Sequence, residues 1–206
     1  MNMNFNELQS QFALGVTIGT VSNANDDQGL GRIRVFFSLK GTQIQSDWVQ
    51  IVSLYAGSNS GAFFLPQKGD SVLLAFANGD PSLPYVLGFL WNGTQKPPVP
   101  QAQQQNVRVI KTKLGKTIQF DDSENGNITI IDNKQNKIVI DTSTDTISID
   151  SQKDLRITAK GSITITGANV VIQNTAQAVK MDISANGMQL SGAGSIKLNA
   201  AMIDIN

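Results

Sequence analysis

The sequence contains neither cysteine nor histidine. Without cysteine there can be no disulfide framework, and without either residue the commonest zinc ligands, thiol nucleophiles and histidine general bases are missing. We therefore expect a chain without catalytic residues, without a bound cofactor and without a metal site.

An excess of charge of one sign is also missing, because 16 basic residues balance 16 acidic ones. No overall field attracts the chain to nucleic acid, so we expect none to bind. No apolar run approaches the roughly 18 residues of a membrane span, and the first residues lack the basic and apolar regions of a signal peptide. We expect synthesis in the cytoplasm without a signal peptide.

Aromatic residues and proline are scarce in the second half. Phe120 is the one aromatic residue beyond Trp91, and Pro100 is the last of six prolines. The Pro- and Gln-rich stretch between the halves is typical of an extended, solvated linker. The sequence predicts an amino-terminal arm (1–12), a first domain (13–93), a linker (94–106) and a second domain (107–206).

The first domain shows five apolar segments of strand length, separated by turn-rich stretches. A closed barrel buries five short strands without leaving edges exposed. The sequence therefore predicts a five-stranded barrel with strands at 14–23, 31–38, 48–54, 71–77 and 85–91.

The second domain repeats a short unit in which two apolar residues flank a single residue, regularly from about residue 127. Alternation of period two places both apolar side chains on one face of a strand. We predict that these pairs form the core of a needle: Ile128, Ile130, Ile138, Ile140, Ile147, Ile149, Leu155, Ile157, Ile163, Ile165, Val170, Ile172, Met181, Ile183, Met188, Leu190, Ile196 and Leu198.

One chain cannot bury such a core alone, since each strand supplies only two or three apolar side chains worth about 1.5 to 3 kcal/mol each. Short polar turns after each strand suit a prism whose faces come from three chains. The pattern favours an all-β homotrimer with an intertwined triple-stranded β-helix. An ordinary meander of antiparallel hairpins is the alternative.

An ordered set of motifs in the first domain carries a family resemblance. It comprises an aromatic-rich loop, turns and strand residues in a fixed order: 61–65, Pro66, Gly69-Asp70, Gly79-Asp80-Pro81, Pro84, Gly88 and Trp91-Asn92-Gly93. With this set, residues 15–93 resemble the oligonucleotide/oligosaccharide-binding (OB) type domain of phage baseplate assembly protein V and of VgrG spike proteins.

The resemblance implies a structural, non-enzymatic central spike of a contractile injection system or phage baseplate. Such a spike is a homotrimeric, membrane-piercing needle that joins a baseplate hub protein to a tip protein and meets the target cell envelope transiently. It is assembled into a phage virion, a secretion apparatus or an extracellular phage-tail-like particle.

The two ends of the chain receive roles in this interpretation. We expect hub contacts from the apolar residues of the arm, Phe5, Leu8 and Phe12. Some short phage spikes end in a histidine-containing metal site, which this chain cannot build. We therefore expect Ile203, Ile205 and Asn206 to contact a separate PAAR-type tip protein.

Two other function classes fit less well. A trimeric receptor- or glycan-binding fibre module would need exposed aromatic residues on its shaft, and the sequence has none after Phe120. A glycan-degrading enzyme would need two placed carboxylates in a cleft. The acidic residues of the second domain sit instead in polar turns or at strand ends.

Overall fold

The computed structural model describes residues 15–175, 179–192 and Ser195. The part described is built from β-strands and two short 3-10 turns, Ala77–Gly79 and Gln101–Gln103, which confirms the all-β class. The strands are β1 (Val16–Asn23), β2 (Arg34–Leu39), β3 (Thr42–Gln45), β4 (Ala56–Gly57), β5 (Ser60–Gly61), β6 (Ser71–Phe76), β7 (Pro84–Leu90), β8 (Val107–Lys111), β9 (Thr117–Asp121), β10 (Asn127–Ile131), β11 (Lys137–Asp141), β12 (Thr146–Asp150), β13 (Val170–Gln173), β14 (Val179–Ser184) and β15 (Gly187–Gly192).

Residues 16–90 contain an antiparallel five-stranded sheet in the order β3-β2-β1-β6-β7. Alternate side chains of these strands point inward, as period-two patterning requires. Together with Ile33 and Val49, which lie outside the strands, they form a single buried cluster: Val21, Ile33, Val35, Phe37, Val49, Val72, Leu74 and Val86. The first domain therefore completes an apolar core within one chain.

The segment 46–52 closes this sheet into a barrel, although it forms no regular strand. The amide of Val49 donates to the carbonyl of Ile33 at 2.8 Å on one side. On the other side the amide of Val52 donates to the carbonyl of Val86 at 2.8 Å. The predicted strand at 48–54 is reduced to two isolated bridges because the segment changes partners, from antiparallel at Val49 to parallel at Ile51.

Residues 107–150 form a second antiparallel sheet in which β8 to β12 pair in chain order. This is the meander that the sequence left as an alternative, since consecutive strands hydrogen-bond to each other within one chain. Intertwining of three chains stays a prediction. The chain divides into compact units after Asp150, so the barrel and this meander share the first unit.

The second unit begins at Ser151. Residues 151–169 form no strand, and β13, β14 and β15 then make a three-stranded antiparallel sheet. No helix in the described part of the chain is long and apolar enough to cross a membrane.

Candidate assembly site

The meander presents an apolar face that nothing in the described chain covers. Strand pairing aligns Ile110, Ile118, Ile130, Ile138 and Ile149 in one row across all five strands. A second row lies beside the first. It begins at Arg108 on β8 and continues across the other four strands with Phe120, Ile128, Ile140 and Ile147. We call the nine apolar residues of these two rows the isoleucine face.

A sheet in water normally buries its apolar face and exposes its polar face, but the isoleucine face is exposed. Its side chains are between 37% (Ile128) and 72% (Ile147) exposed. On β9 and β10 the opposite face, with Thr117, Gln119 and Thr129, is less exposed than the apolar one. A contiguous apolar surface of this kind marks an interaction site.

Three members of the isoleucine face were missed by the sequence reasoning. Ile110, Ile118 and Phe120 precede the regular repeats, and Arg108 and Phe120 interrupt their aliphatic pattern. The strands TIQFD and VRVIK nevertheless keep the same alternation. An analysis based on the alternation of positions along each strand, and not on residue type, would have included these three residues.

The three-stranded sheet of the second unit shows a smaller version of the same arrangement. Val170, Ile183 and Met188 align across β13, β14 and β15. Ile172, Met181 and Leu190 form the adjacent row. We call these six residues the C-terminal apolar face. Four of its side chains are exposed, Met188 the most at 63%, whereas Val170 and Met181 are half-buried.

The remaining predicted needle residues fall into two groups. Leu155, Ile157, Ile163 and Ile165 lie in the strandless segment 151–169 and are all exposed. The other predicted contacts lie outside the described residues: Phe5, Leu8, Phe12, Ile196, Leu198, Ile203, Ile205 and Asn206. Their roles stay predictions.

Two acidic residues of the meander, Asp132 and Asp141, hydrogen-bond within its turns. Asp141 accepts hydrogen bonds from the hydroxyl and amide of Ser143, at 2.7 and 2.9 Å. Asp132 accepts from the side-chain amide of Asn136 at 2.8 Å. These hydrogen bonds lower the pKa of both carboxyl groups from the ordinary value. Among described residues no three His, Cys, Asp or Glu side chains cluster as metal ligands would.

Arg32 and Arg34 of the barrel carry positive charge that could have suggested a nucleic-acid groove, but both contact other side chains of the barrel. Arg32 donates from Nε and Nη2 to the two carboxylate oxygens of Asp26, at 2.9 and 3.0 Å. This bidentate pair, with the Asp26 side chain only 3% exposed, holds the pKa of Asp26 well below its usual range. The guanidinium of Arg34 stacks on Trp48, with Cζ 4.9 Å from the ring centroid.

The barrel carries an exposed aromatic surface to which the sequence analysis assigned no binding role. The small hairpin β4–β5 borders a groove of about 730 Å³ beside β7. An adjoining cavity of about 330 Å³ shares Phe64, Leu65 and Phe89 with this groove. We call the exposed large side chains around them the aromatic surface: Leu54, Tyr55, Phe63, Phe64, Phe89 and Trp91.

Comparison with known proteins identifies the barrel. Residues 17–91 match the family described as the Type VI secretion system/phage-baseplate injector OB domain. The expected resemblance is thereby confirmed for the first domain. The matched region is less than half of the chain.

Similar proteins include three spike-related proteins of much greater length. The chain is 30% identical over 87 residues to the actin cross-linking toxin VgrG1 of Vibrio cholerae, covering 40% of this chain and 8% of that protein. It is 27% identical over 107 residues to the spike protein VgrG3 of the same species, covering 48% and 10%. It is 27% identical over 99 residues to the spike protein VgrG1a of Pseudomonas aeruginosa, covering 45% and 15%.

Proposed function

Because the chain pairs an injector OB domain with uncovered apolar sheets, we propose that it forms the trimeric central spike of a contractile injection system or phage-tail baseplate. The observation that carries the proposal is the isoleucine face, which follows the barrel directly in the first unit. The match of the barrel to injector OB domains supports a role in an injection machine. The exposed isoleucine face supports the association of several copies of the chain.

In this proposal three copies of the chain bring their apolar faces together. Three isoleucine faces, turned toward a common axis, would leave water and form the core of a triangular prism, with the polar turns at its corners. Each side chain that becomes buried contributes about 1.5 to 3 kcal/mol. The C-terminal apolar face and the apolar pairs of 151–169 would become buried in the same way, against their counterparts in the other two copies.

The proposed role is mechanical and not enzymatic. Contraction of a sheath drives the spike forward, and the needle concentrates that force on a small area of a target envelope. Stiffness follows from hydrogen-bonded ladders and packed isoleucine rows, since bending the needle would break both. Phe5, Leu8 and Phe12 are the proposed contacts to a baseplate hub protein, while Ile203, Ile205 and Asn206 are the proposed contacts to a PAAR-type tip protein.

The location of the chain in its native particle tests the function. Antibodies against the purified barrel domain would be applied to injection particles from the source cells and viewed by electron microscopy. The proposal expects label at the baseplate end alone, with a pre-adsorbed antibody as the control. Label along the tube or sheath, or particles that lack the chain altogether, would contradict it.

A further inference from the structure

The Trp91-Asn92-Gly93 motif lies where the chain leaves the barrel, just after β7, and its polar side chain closes a turn. Oδ1 of Asn92 accepts hydrogen bonds from the amides of Thr94 and Gln95, at 2.9 and 2.7 Å. The amide of Asn92 donates in turn to the carbonyl of Gln95 at 2.9 Å. The chain therefore leaves the barrel through a closed turn in which one side chain satisfies two amides.

Two side chains of this turn also attach it to the start of β6, which lies much earlier in the sequence. Nδ2 of Asn92 donates to Oγ of Ser71 at 2.8 Å and to Oε1 of Gln95 at 3.0 Å. Nε2 of Gln95 donates to the carbonyl of Gly69 at 3.1 Å and to Oδ1 of Asp70 at 3.0 Å. We call Asn92, Gln95 and these three partners the exit clamp.

The part of the linker between the exit clamp and β8 has little backbone freedom. Pro97 and Pro98 have fixed φ angles, and consecutive prolines favour a stiff, extended backbone. The 3-10 turn Gln101–Gln103 follows, and the amide of Asn106 donates to its last carbonyl at 3.0 Å. The carbonyl of Asn106 accepts from the amide of Asp122 at 3.0 Å, which continues the pairing of β8 with β9. The linker is therefore hydrogen-bonded to the barrel at one end and to the meander at the other.

We infer that the exit clamp fixes the direction in which the linker leaves the barrel, so that the barrel and the meander move as one rigid body. Both lie in the same compact unit of the chain. Gln95 is the positioning residue, because its side chain attaches the turn to Gly69 and Asp70 of the barrel. The fixed exit holds for a single chain, and only its mechanical use rests on the proposed spike. There a rigid linker passes the thrust on the barrel to the meander, whereas a free linker would bend.

Cross-linking within one chain tests this inference, because the chain has no cysteine of its own. Oε1 of Gln67 in the barrel accepts a hydrogen bond from Nζ of Lys113, in the turn between β8 and β9, at 3.1 Å. Gln67→Cys and Lys113→Cys therefore place two thiols where a short bismaleimide joins them while the barrel and the meander keep this arrangement. The full-length chain is treated, and a denaturing gel separates links within a chain, which leave it running as a monomer, from links between chains.

Added to this double-cysteine chain, Gln95→Ala removes the attachment to Gly69 and Asp70. It should slow linking within the chain about tenfold, because a meander that swings on its linker lowers the effective concentration of one thiol near the other. Gln101→Ala is the matched control, since Gln101 is exposed in the same linker, and it should leave the rate unchanged. The urea midpoint should be the same for both variants, because neither residue belongs to the buried cluster of the barrel.

Equal linking rates in the two variants would overturn the inference and leave the proposed trimer intact. A Gln95→Ala chain whose urea midpoint falls together with its linking rate would also overturn it, since Gln95 would then stabilise the barrel itself. Gln95→Glu is a second variant that keeps the length of the side chain but places a carboxylate beside that of Asp70. Like charges at this distance repel, so Gln95→Glu should slow linking at pH 7 as Gln95→Ala does, and an unchanged rate would contradict the inference.

Discussion

The barrel and the sheets that follow it solve the same burial problem in different ways. Both consist of short amphipathic strands, yet the barrel closes on itself and leaves Leu74 and Val86 with no exposed surface. The sheet of the meander does not close into a barrel, and Ile147 remains 72% exposed. The difference lies in closure, because the meander has no segment like 46–52 that bridges two of its strands and closes the sheet into a barrel.

Residues of the barrel core stabilise one chain, whereas residues of the isoleucine face are proposed to act between chains. Substitutions in the barrel core should change the free energy of unfolding whatever the oligomeric state. Substitutions in the isoleucine face should change assembly and leave the single-chain fold almost unaffected. Four changes, from the largest effect to the smallest, test this division.

The first change places a carboxylate on the isoleucine face by Ile147→Asp. The side chain is open to water in a single copy, but three copies would each bury a charge, at several kcal/mol per ion. We expect the trimer to dissociate, as measured by light scattering. Ser148→Asp is the control, because Ser148 is exposed on the opposite face of the same strand. Equal masses for both variants and the unaltered chain would contradict the assignment of this face.

The second change removes barrel core volume by Leu74→Ala. Leu74 is fully buried, so the cavity should lower the free energy of unfolding by about 2 to 5 kcal/mol. Urea unfolding followed by tryptophan fluorescence measures it. Leu73→Ala, on the outward side of β6, should cost clearly less. Similar losses for the two variants would mean that the barrel core is not where the structure places it.

The third change tests the partly buried ion pair of the barrel by Asp26→Asn. The pKa of Asp26 lies below its ordinary value of 3.8, chiefly because Arg32 hydrogen-bonds to the ionised form. The carboxylate therefore stabilises the barrel above about pH 4, and this stabilisation is lost as the pH falls through the lowered pKa. The difference in urea midpoint between the two chains should be full at pH 7 and shrink toward pH 2.

A control for this pH dependence is Asp47→Asn, at an exposed position of the same barrel. Its urea midpoint should follow that of the unaltered chain at every pH. If the Asp26→Asn deficit were the same at pH 7 and pH 2, the ionised pair would not be its cause.

The smallest effect is expected from Asp150→Asn on the meander. Oδ2 of Asp150 lies 3.6 Å from Nζ of Lys137, and the two side chains are 49% and 43% exposed. Exposed ion pairs of this type are screened by water and salt and contribute little. Neither the mass nor the urea midpoint should change measurably. A clear loss of assembly would show that the polar face, too, lies at an interface.

Much of the barrel could be predicted from its sequence, because turn chemistry and alternation agree there. The turn motif Gly79-Asp80-Pro81, for example, follows a reversal in which Asn78 and Gly79 have positive φ angles of 52° and 75°. Residues 48–54 could not be read correctly, since their apolar pattern reflects burial in the barrel while their hydrogen bonds go to two different strands.

The isoleucine face was predicted in part. Alternation identified Ile128 to Ile149 as one face, and strand pairing places these residues side by side. It could not distinguish Leu54 or Phe63 from core residues, because neighbouring apolar residues in a loop carry no period that separates buried from exposed side chains. Only the closed barrel core, which excludes them, shows that both are exposed.

The mass of the full chain in solution tests the central claim most directly. Light scattering over a series of dilutions should give a constant value near three times 22.1 kDa, because in the proposed spike three copies bury their apolar faces together. A stable mass of 22.1 kDa would contradict the account, since the isoleucine face would then remain in water.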